Sequence, residues 1–412
     1  MVTSDTFVIV GGGLAAAKGA AALRSQGFDG RLVLLGGEHH APYERPPLSK
    51  DYLQGKTPRE KVFAHAHHWY AEHDVDLRSG QFVTGLDRGE RGVRLADGSV
   101  IGYDKLLLTT GASPRKLQVP GADASGVHYL RTLDDSDALR ATLATISRLV
   151  VIGAGWIGLE VTAAARLAGV EVTVVETAEL PLLRVLGPEV AQVFADLHLQ
   201  HGVDFRFNAS LTEILHENGT ATGVRLGDGT TIAADAVLVA VGATPNVQLG
   251  EAAGLHVDNG IVVDAALRTT DPNIFAAGDV ANAFHPFFER QIRVEHWANA
   301  RQQPKAAASS MLGKEVSYDE LPYFYTDQYD LGMEYVGFVD PDDYDRVVFR
   351  GDVAGREFIA FWVLNDRVVA GMNVNVWDVV EPIKTIIRSR LAIPASQLAD
   401  VGIALTDLVP KD

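Results

Sequence analysis

Phe7-Val-Ile-Val-Gly-Gly-Gly-Leu-Ala-Ala16 and Leu149-Val-Val-Ile-Gly-Ala-Gly-Trp-Ile-Gly158 are one device written twice in this chain. In each, a short apolar run of strand length enters glycines, and the glycines open a stretch with helical character. A second echo follows in the same order: Thr110-Gly-Ala-Ser-Pro114 returns as Val241-Gly-Ala-Thr-Pro245. No short-period repeat competes with this long-range duplication, so two similar α/β units are the simplest account.

Working outward, the first turn leads into an alanine-rich helix over about Leu14–Ser25, stopped near Gly27, and then a strand at Arg31–Leu35. The second leads into a helix over about Ile157–Leu167, stopped at Gly169, and a strand at Glu171–Val175. Both read as βαβ units, hence parallel sheet. From about Ser317 the pattern changes to short strand-like runs separated by turns, such as Val347–Arg350, Glu357–Val363 and Arg367–Gly371, with a closing helix near Val379–Arg390. The expected class is α/β: two Rossmann-like dinucleotide-binding domains and a C-terminal α+β domain.

Gly11-x-Gly13-x-x-Ala16 and Gly153-x-Gly155-x-x-Gly158 have the spacing of a turn that lets backbone approach a pyrophosphate at the positive end of a helix. Leu14, Ala15, Trp156 and Ile157, which follow the second glycine of each turn, are expected cofactor contacts. Glu38 and Glu176 lie just past the second strand of each unit, where a carboxylate can take a ribose hydroxyl. At Glu176 the negative charge would repel a 2′-phosphate, which favours NADH over NADPH. NADH is therefore the expected donor, with Arg184 the nearby residue that could accommodate the extra phosphate.

Composition narrows the chemistry. A length of 412 residues suggests two or three domains at roughly 150 residues each. The longest apolar runs, such as Ala236–Val241, are far short of the roughly 20 residues a bilayer helix needs, and no signal peptide is read at the N-terminus. A cytoplasmic location is expected. The chain has no cysteine, which excludes disulfides, thiolate metal sites and a redox-active dithiol. Its net charge of −17 makes nucleic acid and anionic membrane poor partners, and an acidic protein could dock only on a local basic patch.

Three further stretches carry a specific resemblance: Pro42-Tyr-Glu-Arg-Pro-Pro-Leu-Ser-Lys50, Thr269-Thr-Asp-Pro-Asn-Ile-Phe-Ala-Ala-Gly-Asp279 and Val294-Glu-His-Trp-Ala-Asn299. With the glycine turns they make the whole chain resemble the bacterial NADH-dependent ferredoxin reductases that serve oxygenases. That family shares its two-dinucleotide flavoprotein fold with rubredoxin reductase and apoptosis-inducing factor. The resemblance implies FAD in the first unit and NADH in the second. It also implies a discontinuous FAD domain over residues 1–114 and 245–316, an NAD domain over 115–244 and a C-terminal domain over 317–412.

Residue roles follow from the same resemblance. Lys50 is implied near the flavin N5, paired with Glu160 on the NAD-side helix, and Trp297 along the flavin ring; these three are the expected catalytic residues. Arg45, Arg131 and Asp279 match FAD contacts, Asp279 being the ribityl-binding aspartate or simply a helix cap. Further cofactor contacts are expected at Val83, Thr110, Gly111, Gly242 and Val280. The family commonly carries Phe-Trp-Ser-Asp-Gln where this chain has Phe324-Tyr-Thr-Asp-Gln328, which puts the role of Tyr325 in question.

The implied reaction takes a hydride from NADH onto FAD and passes electrons singly to an iron–sulfur ferredoxin, which feeds a cytochrome monooxygenase or a dioxygenase. Lys384, Arg388 and Arg390 are candidate positive charges for that acidic partner, Lys384 and Arg388 being one helical turn apart. A monomer or homodimer is expected. Rival readings are a rubredoxin or quinone reductase, an NADH oxidase, or a redox-sensing protein like apoptosis-inducing factor. His65, His67 and His68 read as loop or helix histidines rather than metal ligands. Asp340, Asp342 and Asp343 lack the glycine and terminal glutamate of a calcium loop.

Overall fold

The computed structural model describes residues 5–341 and 343–410; Asp342, one of the three loop aspartates, lies outside the described residues. The chain divides into two units. The first comprises Met1–Pro46, Pro58–Ser113 and Ala243–Glu320, and the second comprises Pro47–Thr57, Pro114–Gly242 and Leu321–Asp412.

In the first unit five parallel strands run in the order Ile274–Ala276, Lys105–Leu108, Thr6–Val10, Arg31–Leu35, Val75–Arg78. Strands covered on both faces need apolar residues at successive positions. Val8, Ile9, Leu34 and Leu106–Leu108 are accordingly buried without alternation. The helix Leu14–Ser25 supplies the crossover to the second strand. Gly19 lets it lie close: a Cβ there would sit 2.9 Å from Leu107 on the sheet and 3.6 Å from Pro304 of the helix Trp297–Met311. Two small three-stranded sheets also belong to this unit.

The second unit repeats the plan, with parallel strands ordered Asp204–Arg206, Glu171–Val175, Arg148–Ile152, Ala236–Val239, Val127–His128. It adds a five-stranded antiparallel sheet ordered Tyr323–Gln328, Leu331–Gly337, Arg367–Val374, Glu357–Leu364, Arg346–Asp352. The helix Val380–Ser389 closes that sheet by burying Ile383, Ile386 and Ile387, one helical face by spacing. The helix Leu183–Gln200 breaks at Gly187, where φ is +75°, and Trp362 fixes the break by donating its indole N–H to the Leu186 carbonyl at 3.2 Å.

The divisions expected near 114, 244 and 316 stand beside observed ones at 113/114, 242/243 and 320/321. Two features go beyond that plan. The antiparallel sheet belongs to the same unit as the second glycine turn, and residues 47–57 belong there too. Side-chain bonds explain the second point: Tyr52 donates to Asp137 at 2.6 Å and Ser136 donates to the Leu48 carbonyl at 2.8 Å. Among the described residues no helix is long and apolar enough to cross a membrane.

Candidate functional site

The first glycine turn is tight because three backbones meet in it. Gly11 has a φ of +126°, and a Cβ there would lie 2.2 Å from the Thr109 carbonyl oxygen. Gly12 passes Gly36 so closely that a Cβ would lie 2.9 Å from its Cα. Gly13 is the N-cap of the helix Leu14–Ser25 and has no side-chain cap among the described residues. The opening N–H groups therefore remain for a ligand, an arrangement suited to an anion. Ala16, in the slot where glycine is usual, is fully buried and accommodated.

Around this turn the predicted residues form a charged rim. Arg45 Nη2 lies 3.1 Å from Glu38 Oε1, and Tyr43 donates its hydroxyl to Glu38 Oε2 at 2.5 Å. Burial works against the Arg45 charge, but Tyr43, Glu38 and Asp279 outweigh it and raise its pKa. Asp279 follows Gly278, whose N–H donates to Gln303 at 2.9 Å and whose missing Cβ would stand 3.1 Å from Ala15. Trp297 opens its helix and donates its indole N–H to Glu44 at 2.6 Å, with the Arg301 guanidinium 4.3 Å from its ring centre. His296, before it, is pushed by burial to about 4 against the pull of Asp279. Thr110 donates to the Asn246 carbonyl at 2.7 Å, Gly111 has a φ of +69°, Val280 is buried, and Val83 opens a strand of a small sheet.

In the second turn each glycine has its own physical reason. A Cβ on Gly153 would meet the Ala240 carbonyl oxygen at 2.5 Å, and one on Gly158 would meet the Gly153 carbonyl oxygen at 2.2 Å. Gly155 instead faces open space, with nothing among the described residues within 4 Å of such an atom. Two glycines thus permit the turn, and the third clears room beside an uncapped helix start. Trp156 packs against Phe194 and Phe324, whereas Ile157 is exposed. Glu176 accepts the Ala154 N–H at 2.7 Å and the Ala178 N–H at 2.9 Å. Arg184 is exposed in the first turn of the helix Leu183–Gln200, Gly242 has a φ of +94°, and Arg131 precedes the capping box of the helix Leu133–Leu143.

Lys50 and Glu160 come together as expected. Lys50 Nζ is 2.9 Å from Glu160 Oε1, and both side chains are largely buried, 12% and 6% exposed. Burying such a pair is costly unless other donors satisfy the carboxylate. Sequence reasoning missed those donors: Ser49 donates to Glu160 Oε2, and Thr326 donates to Oε1 at 2.6 Å. Tyr325, which stands where the family commonly carries tryptophan, places its ring centre 5.5 Å from Lys50 Nζ. The available signal was the strand Tyr323–Gln328, whose buried positions 324, 326 and 328 include a threonine and a glutamine.

The C-terminal cations are less uniform than their spacing suggests. Lys384 is tied to Glu381 at 2.7 Å and is only 25% exposed, while Arg388 lies exposed one turn on. Arg390 ends the helix in a left-handed conformation. His65, from the histidine run, stacks on Trp69 at 4.0 Å.

The donors and clearances of both turns suit a pyrophosphate-bearing cofactor. The family model described as pyridine nucleotide-disulphide oxidoreductase matches residues 5–304, and that described as reductase C-terminal matches 323–409. Putidaredoxin reductase CamA of Pseudomonas putida is 38% identical, covering 99% of this chain and 98% of its own. The ferredoxin–NAD(+) reductase component of the anthranilate 1,2-dioxygenase system of Burkholderia cepacia is 40% identical, covering 98% and 99%. Among solved structures, that of the covalent putidaredoxin reductase–putidaredoxin complex superposes with a TM-score of 0.95 at 38% identity over 98% of both chains.

Proposed function

The chain belongs to the pyridine nucleotide-disulphide oxidoreductase family, and from that premise we propose that it is an FAD-dependent NADH:ferredoxin reductase of an oxygenase system. The observation that carries this reading is the pairing of two glycine turns, each on its own parallel sheet, with a buried Lys50–Glu160 pair in the second unit. Full-length similarity to ferredoxin reductases supports it. The absence of cysteine removes the disulfide chemistry of the family's name, so electrons must leave without a dithiol relay.

FAD, when bound, supplies the chemistry that turns a two-electron hydride into single electrons for an iron–sulfur ferredoxin. The first turn would hold it through the N–H groups of Leu14 and Ala15, with Glu38, Arg45 and Asp279 around the turn and Trp297 beside the ring. The second turn would hold the dinucleotide at Gly155, Trp156 and Ile157. NADH is the preferred donor because Glu176 presents negative charge where a 2′-phosphate would enter. Lys50 and Glu160 would orient the nicotinamide: the ion pair offers a donor and an acceptor fixed by Ser49 and Thr326.

Anaerobic addition of NADH to the FAD-loaded protein should bleach the flavin. Cytochrome c reduction should then depend on an added [2Fe–2S] ferredoxin. Equal rates without ferredoxin would favour an oxidase or quinone reductase instead.

A further inference from the structure

Behind Glu160 a line of side chains continues through the second unit, and each link fixes the next. Thr326 donates to Glu160 Oε1 at 2.6 Å and accepts from Gln328 Nε2 at 3.2 Å. Gln328 Oε1 stands 2.8 Å from His198 Nε2, and His198 Nδ1 stands 3.3 Å from the Tyr329 hydroxyl. Thr326, Gln328 and His198 are each no more than 1% exposed. Water therefore does not compete for these groups.

The chain has one self-consistent direction. An amide oxygen only accepts, so His198 Nε2 must carry the hydrogen that faces Gln328. Nδ1 is then a lone pair and takes the Tyr329 hydroxyl. With its oxygen held by His198, Gln328 must turn its NH2 toward Thr326. The Thr326 hydroxyl, already accepting, has its own proton left for Glu160. The alternative histidine tautomer would set two lone pairs against each other and free the amide to flip. A fully buried imidazole, pushed by burial to about 4, stays neutral at physiological pH, which keeps this tautomer in place.

We propose that His198 is a positioning residue for hydride transfer: through Gln328 and Thr326 it fixes the hydroxyl that holds the Glu160 carboxylate against Lys50. The inference rests on the reductase reading, since Glu160 and Lys50 are taken as the pair that orients the nicotinamide. His198 itself touches neither cofactor nor substrate in this scheme. Its effect is therefore on the limiting rate of flavin reduction rather than on NADH affinity.

Two measurements on the FAD-loaded protein test this. In 15N-histidine-labelled protein, His198 should give the Nε2–H tautomer signature, unchanged between pH 8 and about 5.5. An Nδ1–H signature, or titration near the ordinary value, overturns the proposal whether or not the protein is a reductase. In stopped-flow reduction by NADH, His198→Leu and Thr326→Val should each lower the limiting rate about tenfold while the NADH dissociation constant stays within about twofold. His198→Gln, which can present an N–H at the same place, and Thr326→Ser should restore most of the rate. A wild-type rate in Thr326→Val, or no recovery in either conservative variant, overturns it. If His198→Leu does not fold, the threonine pair and the tautomer carry the decision. Failure of the wild-type protein to be reduced by NADH would count against the reductase reading, while the tautomer would still report on the positioning chain.

Discussion

The backbone N–H of Ala154 donates to Glu176 Oε2 at 2.7 Å, so the acid that closes the second strand also braces the glycine turn before it. One carboxylate thereby has two tasks, electrostatic and structural, and the two separate by substitution. Glu176→Gln keeps an acceptor for the turn but removes the charge. Its discrimination against NADPH should fall about tenfold, read from the two nucleotides' kcat/KM, with little loss of thermal stability. Glu176→Ala leaves the Ala154 N–H without its acceptor and should cost about 1–3 kcal/mol in denaturant unfolding as well.

Gly158→Ala tests the turn from the other side. Its new methyl would stand 2.2 Å from the Gly153 carbonyl oxygen, which is backbone and cannot swing away. The expected result is at least a tenfold rise in the NADH dissociation constant, with destabilisation of about 1–3 kcal/mol. Gly158 lies in the second unit and the first glycine turn in the other, so the content of bound FAD should stay near one per chain. Loss of FAD together with NADH affinity would contradict the assignment of one cofactor to each turn.

These two positions also mark how far the sequence could be read. The helix Leu14–Ser25 and the strands Arg31–Leu35 and Glu171–Val175 have the bounds their patterns suggested, because apolar runs and glycine stops are local signals. The pairing of Lys50 with Glu160 was legible only through resemblance, since the two lie 110 positions apart. Thr326 and Gln328 were visible only as alternating polar positions in a strand-like stretch, and nothing local singled out His198. Each is an ordinary polar residue in its own strand or helix, and its meaning arises from partners across 130 or more positions. The grouping of residues 47–57 with the second unit was hidden for the same reason: it depends on Tyr52 and Ser136 finding distant partners.

The ion pair itself should split stability from chemistry. Lys50→Met strands the Glu160 carboxylate in the interior and should destabilise the protein by about 3–5 kcal/mol, as removal of one partner from a buried pair does. The double variant Lys50→Met with Glu160→Gln removes the stranded charge, so most of that stability should return in urea unfolding. The rate of flavin reduction by NADH should not return. Recovery of both would make the pair purely structural.

Acid should weaken the fold through its buried imidazoles. Burial pushes His198 from the ordinary 6.5 to about 4. The unfolded chain thus takes up a proton near pH 6.5 that the folded chain refuses until about pH 4. Between those values the unfolded state binds more protons, so stability present above pH 6.5 is lost as the pH falls. The loss from this one group is on the order of 3 kcal/mol by pH 4. His296, held down for the same main reason, adds to it with the same sign. Urea midpoints at pH 7.5, 6 and 5 should decline in wild type and decline less steeply in His198→Gln; equal slopes would mean that His198 titrates alike in both states.

Charge reversal on the helix Val380–Ser389 should affect the acceptor half of the reaction alone. The Lys384 side chain lies along the helix beside Glu381 and is 25% exposed, whereas Arg388 is exposed. On a chain of net charge −17, an acidic ferredoxin gains most from the cation that is more exposed. Arg388→Glu should therefore raise the KM for ferredoxin severalfold, more than Lys384→Glu does, and the difference should shrink as salt screens it. Flavin reduction by NADH should be the same in both variants and wild type. An unchanged KM in Arg388→Glu at low salt would take this helix out of the docking surface, because a charge at an acidic partner's interface cannot be inverted without cost there.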